Sequence, residues 1–130
     1  MNRQIKFRGF TTHFDKGWVY GLLSVKNTID EMTNFGWVSE TIVEESSIGQ
    51  FTGFRDKNEV DIYEGDILLE ERKDKNGLVV YRKTHYVVFN KFDCAFELSD
   101  DREVIANPKV ITERAIQNCA VIGNVYEHLY

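Results

Sequence analysis

Carboxylates crowd one stretch of this sequence, GQFTGFRDKNEVDIYEGDILLE, residues 49–70, and four of its six, Asp56, Asp61, Glu64 and Asp66, raise the question of a chemical site. Carboxylates at such spacing raise two chemistries, a calcium loop and a general acid/base pair. A calcium loop takes oxygen ligands at its positions one, three and five, glycine at six and glutamate at twelve. Counted from Asp56, Asn58 fits the third position, but Val60, Asp61 and Ile67 fall at five, six and twelve. The calcium pattern fails. An acid/base pair needs one buried and one solvated carboxyl converging on a cleft. Glu64 and Asp66 would share a face of a regular strand, but Gly65 between them breaks that parity. The four are read as punctuation, with Asp56 and Asn58 making a turn and Glu64-Gly65-Asp66 opening the next strand.

Zinc would draw on His13, His85, His128, Cys94 and Cys119. Structural zinc sites take ligands in closely spaced pairs such as Cys-x-x-Cys, and none of these five is so paired. A Cys/His nucleophile lacks any local signature. Both cysteines read as small buried hydrophobes, with Cys94 on the apolar face of an alternating segment. The sequence therefore predicts no catalytic residue, no metal and no cofactor, and the chain is not expected to be an enzyme.

The remaining candidate is a surface. Lys6, Phe7, Arg8 and Phe10 interleave cations with aromatics, and Trp18 and Tyr20 follow on the adjacent segment. Three readings stay open for them. They form a core with a solvated charged face; they form an interface with another subunit, where aromatics are enriched; or they stack bases and hold phosphates, as small barrels that bind single strands do.

The elements that must position these residues are mostly strands. The chain has 130 residues, 42% hydrophobic and 28% charged, which suits a soluble globular protein of one domain or a small domain with an arm. Nine Phe and six Tyr favour strands. The formal charge of -5 argues against nonspecific nucleic-acid binding, which relies on neutralising phosphates. No apolar run reaches the roughly 20 residues that span a bilayer, and MNRQIKFRGF lacks the apolar stretch of a secretory signal. A cytoplasmic location is expected.

Strands are predicted over 5–13 and 18–25 as a hairpin, with a turn at Asp15–Gly17, and over 37–44; residues 26–34 read as loop. EESSIGQFTG reads as a junction. Short strands follow around VDIYEGD and 67–71, with a hairpin turn at Asp74–Gly77 and a return over 78–90. FDCAFEL alternates, placing Phe92, Cys94, Phe96 and Leu98 on one buried face. One helix is predicted behind Asn107 as cap and Pro108 as first residue, using Val110, Ile111, Ala115 and Ile116. A last strand covers 119–126. The expected fold is mainly β: an N-terminal β-hairpin arm over 1–48, too small to bury a core of its own, and a small antiparallel SH3-like barrel with one short helix over 49–130.

IKFRG (5–9), WVYG (18–21), GQFTGFRDKN (49–58), IYEGDI (62–67) and VIGNVYE (121–127) together resemble the YopX-like family, found mainly in bacteriophages and prophages. The pieces occur in the family's order over nearly the whole chain. Glu59 stands where the family usually has Gly after DKN, which predicts a different turn type there, and the tail ends at EHLY without the family's proline-containing extension. The resemblance carries over no catalytic residue, cofactor or substrate. It implies a phage-encoded, non-capsid protein acting in the host cytoplasm, a homo-oligomer by analogy with other members. Three functional classes stay open: a noncatalytic accessory protein that binds a host or phage protein, which is favoured; alternatively a nucleic-acid-binding small barrel; and an enzyme, which would need a deep pocket with titratable groups and which no motif supports. No membrane partner is expected.

Overall fold

Short aromatic and β-branched segments, each closed by Gly, Asn or Asp, leave the chain little room for anything but strands. The computed structural model describes residues 4–13, 17–32, 36 and 38–127. Their strands are β1 (Phe7–Thr11), β2 (Gly17–Leu23), β3 (Thr28–Met32), β4 (Val38–Ile42), β5 (Gly49–Arg55), β6 (Asp61–Tyr63), β7 (Asp66–Lys73), β8 (Val79–Asn90), β9 (Ala95–Ser99), β10 (Lys109–Val110) and β11 (Cys119–Asn124). A single α-turn, α1 (Glu113–Ile116), is the helical element of α type among the described residues. The chain forms two compact units, residues 1–53 and 54–130. One antiparallel sheet runs β4-β3-β2-β1-β5-β6, and the second runs β10-β9-β8-β7-β11.

In the first unit, β1 and β2 pair with Phe10 opposite Trp18 and Arg8 opposite Tyr20. The expected turn at Asp15–Gly17 falls largely outside the described residues. Residues 26–34, read from sequence as loop, carry β3. Lys26 turns the chain at φ 49°, Ser24 donates its amide to the Thr28 carbonyl at 2.9 Å, and the chain returns as a strand. TIDEM hides this because its buried apolar contribution is Ile29, which is fully buried between polar neighbours. Ile29, Val19 and Val43 form a small core, with Phe7 and Ile48 packed on it. The first unit is thus larger than a hairpin and has a core of its own. Gly21 permits the close β2–β3 approach: a Cβ there would collide with the backbone carbonyl oxygen of Asp30. The segment read as a junction is also ordered, as a 3-10 turn at Glu45–Ser47 leading into β5.

In the second unit the core gathers Ile62, Leu68, Val87, Phe96, Leu98, Ile111, Ile116 and Cys119. The Asp74–Gly77 turn joins β7 to β8 as the sequence predicts. Its Asp74 carboxylate accepts the amides of Asn76 (2.8 Å) and Leu78 (3.0 Å), and Gly77 sits at φ 82°. The sheet is open, not an SH3-like barrel. Its β10 edge is a two-residue exposed strand, and its β11 edge is met by a turn instead of a closing strand.

Two local expectations give way to tertiary packing. Phe92 and Cys94 do not share the buried face of Phe96 and Leu98. Residues 91–94 form a turn in which Cys94 takes φ 51°, and both side chains are exposed. The Asn90 carboxamide holds that turn by accepting the Phe92 amide at 3.0 Å. The helix is also shorter and later. Asn107 lies at φ 46°, residues 109–110 pair with β9, and Thr112 is the cap, accepting the Ala115 amide at 3.1 Å.

Candidate functional site

Asp56, Asp61 and Asp66 are each bound into the framework separately. Asp56 is buried. Its Oδ1 accepts the amides of Asn58 (2.8 Å) and Val60 (2.9 Å), and its Oδ2 accepts that of Val121 (2.8 Å). Asp61 pairs with Arg55 at 2.9 Å. Asp66, buried, accepts the Tyr63 amide at 2.7 Å and so closes the Gly65 turn. Glu64 is half-buried in that turn. The punctuation reading matches this geometry.

Glu59 lies at φ 64°, and Asp56 sets the same pattern of amide bonds that Asp74 sets around Gly77. The turn at Glu59 thus has the same form as the chain's own turn at Gly77. The carboxylate's grip on two amides holds a non-glycine residue in the left-handed region.

The aromatic and basic candidates divide by strand parity. Lys6, Arg8 and Phe10 alternate along one face, with Tyr20 and Trp18 opposite Arg8 and Phe10. Phe7 points the other way, onto the Val19–Ile29–Val43 core. On the first face Phe10 meets Trp18 edge-on at 5.4 Å, the Arg8 guanidinium lies 4.8 Å from the Trp18 ring, and Lys6 lies 4.9 Å from Phe51. Arg8 is buried, whereas Tyr20 is exposed.

Of the five candidate zinc ligands, His13 is exposed, His128 falls outside the described residues, and Cys94 is exposed. His85 and Cys119 are brought together, and Glu70 joins them. One donor atom from each lies within 4.8 Å of the others, and all three residues are buried. Strand pairing explains the convergence. Cys119 sits opposite Glu70 across β11–β7, and His85 sits opposite Leu68 across β8–β7. Leu68 and Glu70 share a face by alternation, so three adjacent strands present the three side chains side by side.

The cluster is electrostatically ordered. His85 Nε2 donates to Glu70 Oε1 at 2.8 Å, and Arg72 donates to Glu70 Oε2 at 2.9 Å. Burial acts to raise the Glu70 carboxyl, but the hydrogen bonds from His85 and Arg72 outweigh it and hold the group below its ordinary 4.5. Burial, reinforced by the Glu70 charge, pushes the Cys119 thiol up to about 11. A thiol so placed is protonated at neutral pH and is no nucleophile. Sequence reasoning missed Glu70. Its signal was a carboxylate two residues beyond Leu68 on a strand whose alternation turns that face inward.

These features describe a two-unit, antiparallel, mainly β protein with a buried polar cluster in its second sheet. The chain belongs to the YopX protein family, whose model matches residues 6–128. It is similar in fold to the crystal structure of protein EF1440 from Enterococcus faecalis, at a TM-score of 0.56 and 23% identity over 98% of this chain and 97% of that one. No curated protein matches the sequence. No helix among the described residues is long and apolar enough to cross a membrane.

Proposed function

We propose that this chain is a noncatalytic phage or prophage accessory protein that works in the host cytoplasm as a homo-oligomeric protein-interaction module. The observation that carries this reading is the outer end of the β7–β8 hairpin. Leu78, Val79, Val80 and Tyr81 are consecutive, and all four are exposed, by 65, 42, 66 and 42%. Alternation along a strand sends neighbouring side chains to opposite faces, so this hairpin end offers apolar groups on both. Apolar side chains left exposed together at one hairpin end support an interaction site there. Basic residues flank it, with Arg72 over the Tyr81 ring at 5.2 Å and Arg82 paired to Glu71 at 2.7 Å.

The β1–β2 face is a second candidate surface, presenting Tyr20 beside Arg8, Phe10 and Trp18. The mutual packing of those last three leaves few open ring faces for bases to stack on, which weighs against the nucleic-acid alternative. The net charge of -5 weighs the same way.

The test is sedimentation velocity over a wide concentration range, on the wild type and on a Leu78→Lys/Val80→Lys variant. The reading expects a wild-type oligomer, and a variant that is monomeric with an unchanged melting temperature. A wild type that stays monomeric at every concentration would overturn the self-association. Capture of tagged protein from phage-carrying cells, with and without nuclease, then separates a protein partner from nucleic acid.

A further inference from the structure

We infer that Glu70, His85 and Cys119 form a binding site for a divalent transition-metal ion of the zinc class. The donor set carries the choice of ion. A thiolate, an imidazole and a carboxylate suit zinc and its neighbours, whereas calcium and magnesium take oxygen ligands alone. The spacing fits as well. Tetrahedral zinc, with bonds of about 2.0–2.3 Å, holds its ligand atoms roughly 3.3–3.8 Å apart. The three donors already lie within 4.8 Å of one another, and the contact between Glu70 and His85 is 2.8 Å. An ion therefore replaces the hydrogen bond between Glu70 and His85 and draws Cys119 inward, with side-chain adjustments well under the width of a strand.

The scaffold favours this use. The donors stand on three neighbouring strands, β7, β8 and β11, which makes the site more rigid than one built on loops. The backbone at Cys119 is fixed from the far side, because its carbonyl accepts the Lys57 amide at 3.0 Å. Arg72 holds Glu70 Oε2 at 2.9 Å, which orients the carboxylate and leaves Oε1 toward His85. That is the supporting role that outer-shell partners play for metal ligands. Burying a carboxylate, an imidazole and a thiol together is also costly, and an ion bound by all three would offset that cost. Coordination through the thiolate displaces the Cys119 proton, and coordination through Nε2 displaces the proton that His85 donates to Glu70. Three protein donors leave a fourth tetrahedral position for solvent or for a donor from another molecule.

The experiment is a cobalt(II) titration of the reduced full chain, followed by absorbance and then challenged with zinc. The inference expects one ion per chain, intense visible bands of tetrahedral cobalt, and a near-ultraviolet sulfur-to-cobalt charge-transfer band, all bleached by one equivalent of zinc. Cys119→Ser should abolish the charge-transfer band, and His85→Asn should weaken binding at least about tenfold. Cys94→Ser, whose thiol is exposed and outside the cluster, should leave the spectrum unchanged. The wild-type spectrum is decisive even if a core variant fails to fold. Wild-type protein without a charge-transfer band at saturating cobalt would overturn the site, as would a band that persists in Cys119→Ser and vanishes in Cys94→Ser.

Discussion

Asp56 and Val121 are joined across 65 positions of sequence by a 2.8 Å hydrogen bond from the Val121 amide to Asp56 Oδ2. The same carboxylate closes its own turn through Oδ1, and the neighbouring Lys57 amide donates to the Cys119 carbonyl at 3.0 Å. The turn thus lies along the outer side of β11, where unpaired strand groups would otherwise face solvent. Replacing Asp56 by Ala removes a charged acceptor from three amides, two of them within a single turn. Hydrogen bonds to charged groups contribute about 1.5–3 kcal/mol each and do not add independently, so the expected loss is about 3 kcal/mol. Urea denaturation measures it. A loss below about 1 kcal/mol would mean that the turn supports itself without the carboxylate.

Glu59 gives a prediction of the opposite sign. It occupies the left-handed position that Gly77 fills in the matching turn. That conformation costs an ordinary residue roughly 1–2 kcal/mol, of which glycine's extra freedom in the unfolded chain returns a part. Glu59→Gly should stabilise the protein by about 0.5–1 kcal/mol. The ion pair that is lost, Arg55 with Glu59 at 4.0 Å, is solvent-exposed and contributes little. A thermal melt showing a lowered midpoint would contradict this account of the turn.

Gly21 should tolerate no side chain. An added Cβ meets the Asp30 carbonyl oxygen, part of the adjacent strand's backbone and unable to swing aside. Gly21→Ala must separate β2 from β3, at a cost of about 1–3 kcal/mol. Hydrogen exchange reports the location as well as the size. Protection should fall at Leu22, Leu23, Ile29 and Asp30, which face each other across that pairing, while the second unit stays protected.

Glu70 should make the protein acid-labile. Its folded pKa is lowered, so the stabilisation from its ionised form is complete above the ordinary 4.5 and is lost as pH falls through the folded value. The melting temperature should therefore drop from about pH 5 downward. Glu70→Gln keeps the shape but not the charge, and its acid limb should be shallower. Parallel curves for the two proteins would assign the acid sensitivity to other carboxylates.

Local chemistry was legible where Asp and Asn-Gly turn residues act on their own neighbours, as at Asp56 and Asp74. Asp74-Lys75-Asn76-Gly77 announces a hairpin, and that turn joins β7 to β8, while a register shift between Arg72 and Lys73 completes the pairing that places His85 opposite Leu68. The mainly β character followed from the aromatic and β-branched segments for the same reason. FDCAFEL shows where alternation misleads. Its period is that of a strand, yet the Asn90 side chain captures the Phe92 amide and turns the first half into a loop with Cys94 at φ 51°. Strand β3 misled in the other direction, because one fully buried isoleucine among acidic residues carries too little periodic signal.

By itself, then, the sequence determined the mainly β character, most of the strands, the Asp56 and Asp74 turns and the family, since each depends on residues within a few positions of one another. It also determined that Asp56 would bind backbone amides of its own turn. Only the tertiary structure decided that the second sheet stays open and that Asp56 reaches Val121. It alone decided that Glu70, His85 and Cys119 share one buried patch. The physical reason is register between strands distant in sequence. Cys119 meets Glu70 because β11 pairs with β7, and no local preference in either segment specifies that partner.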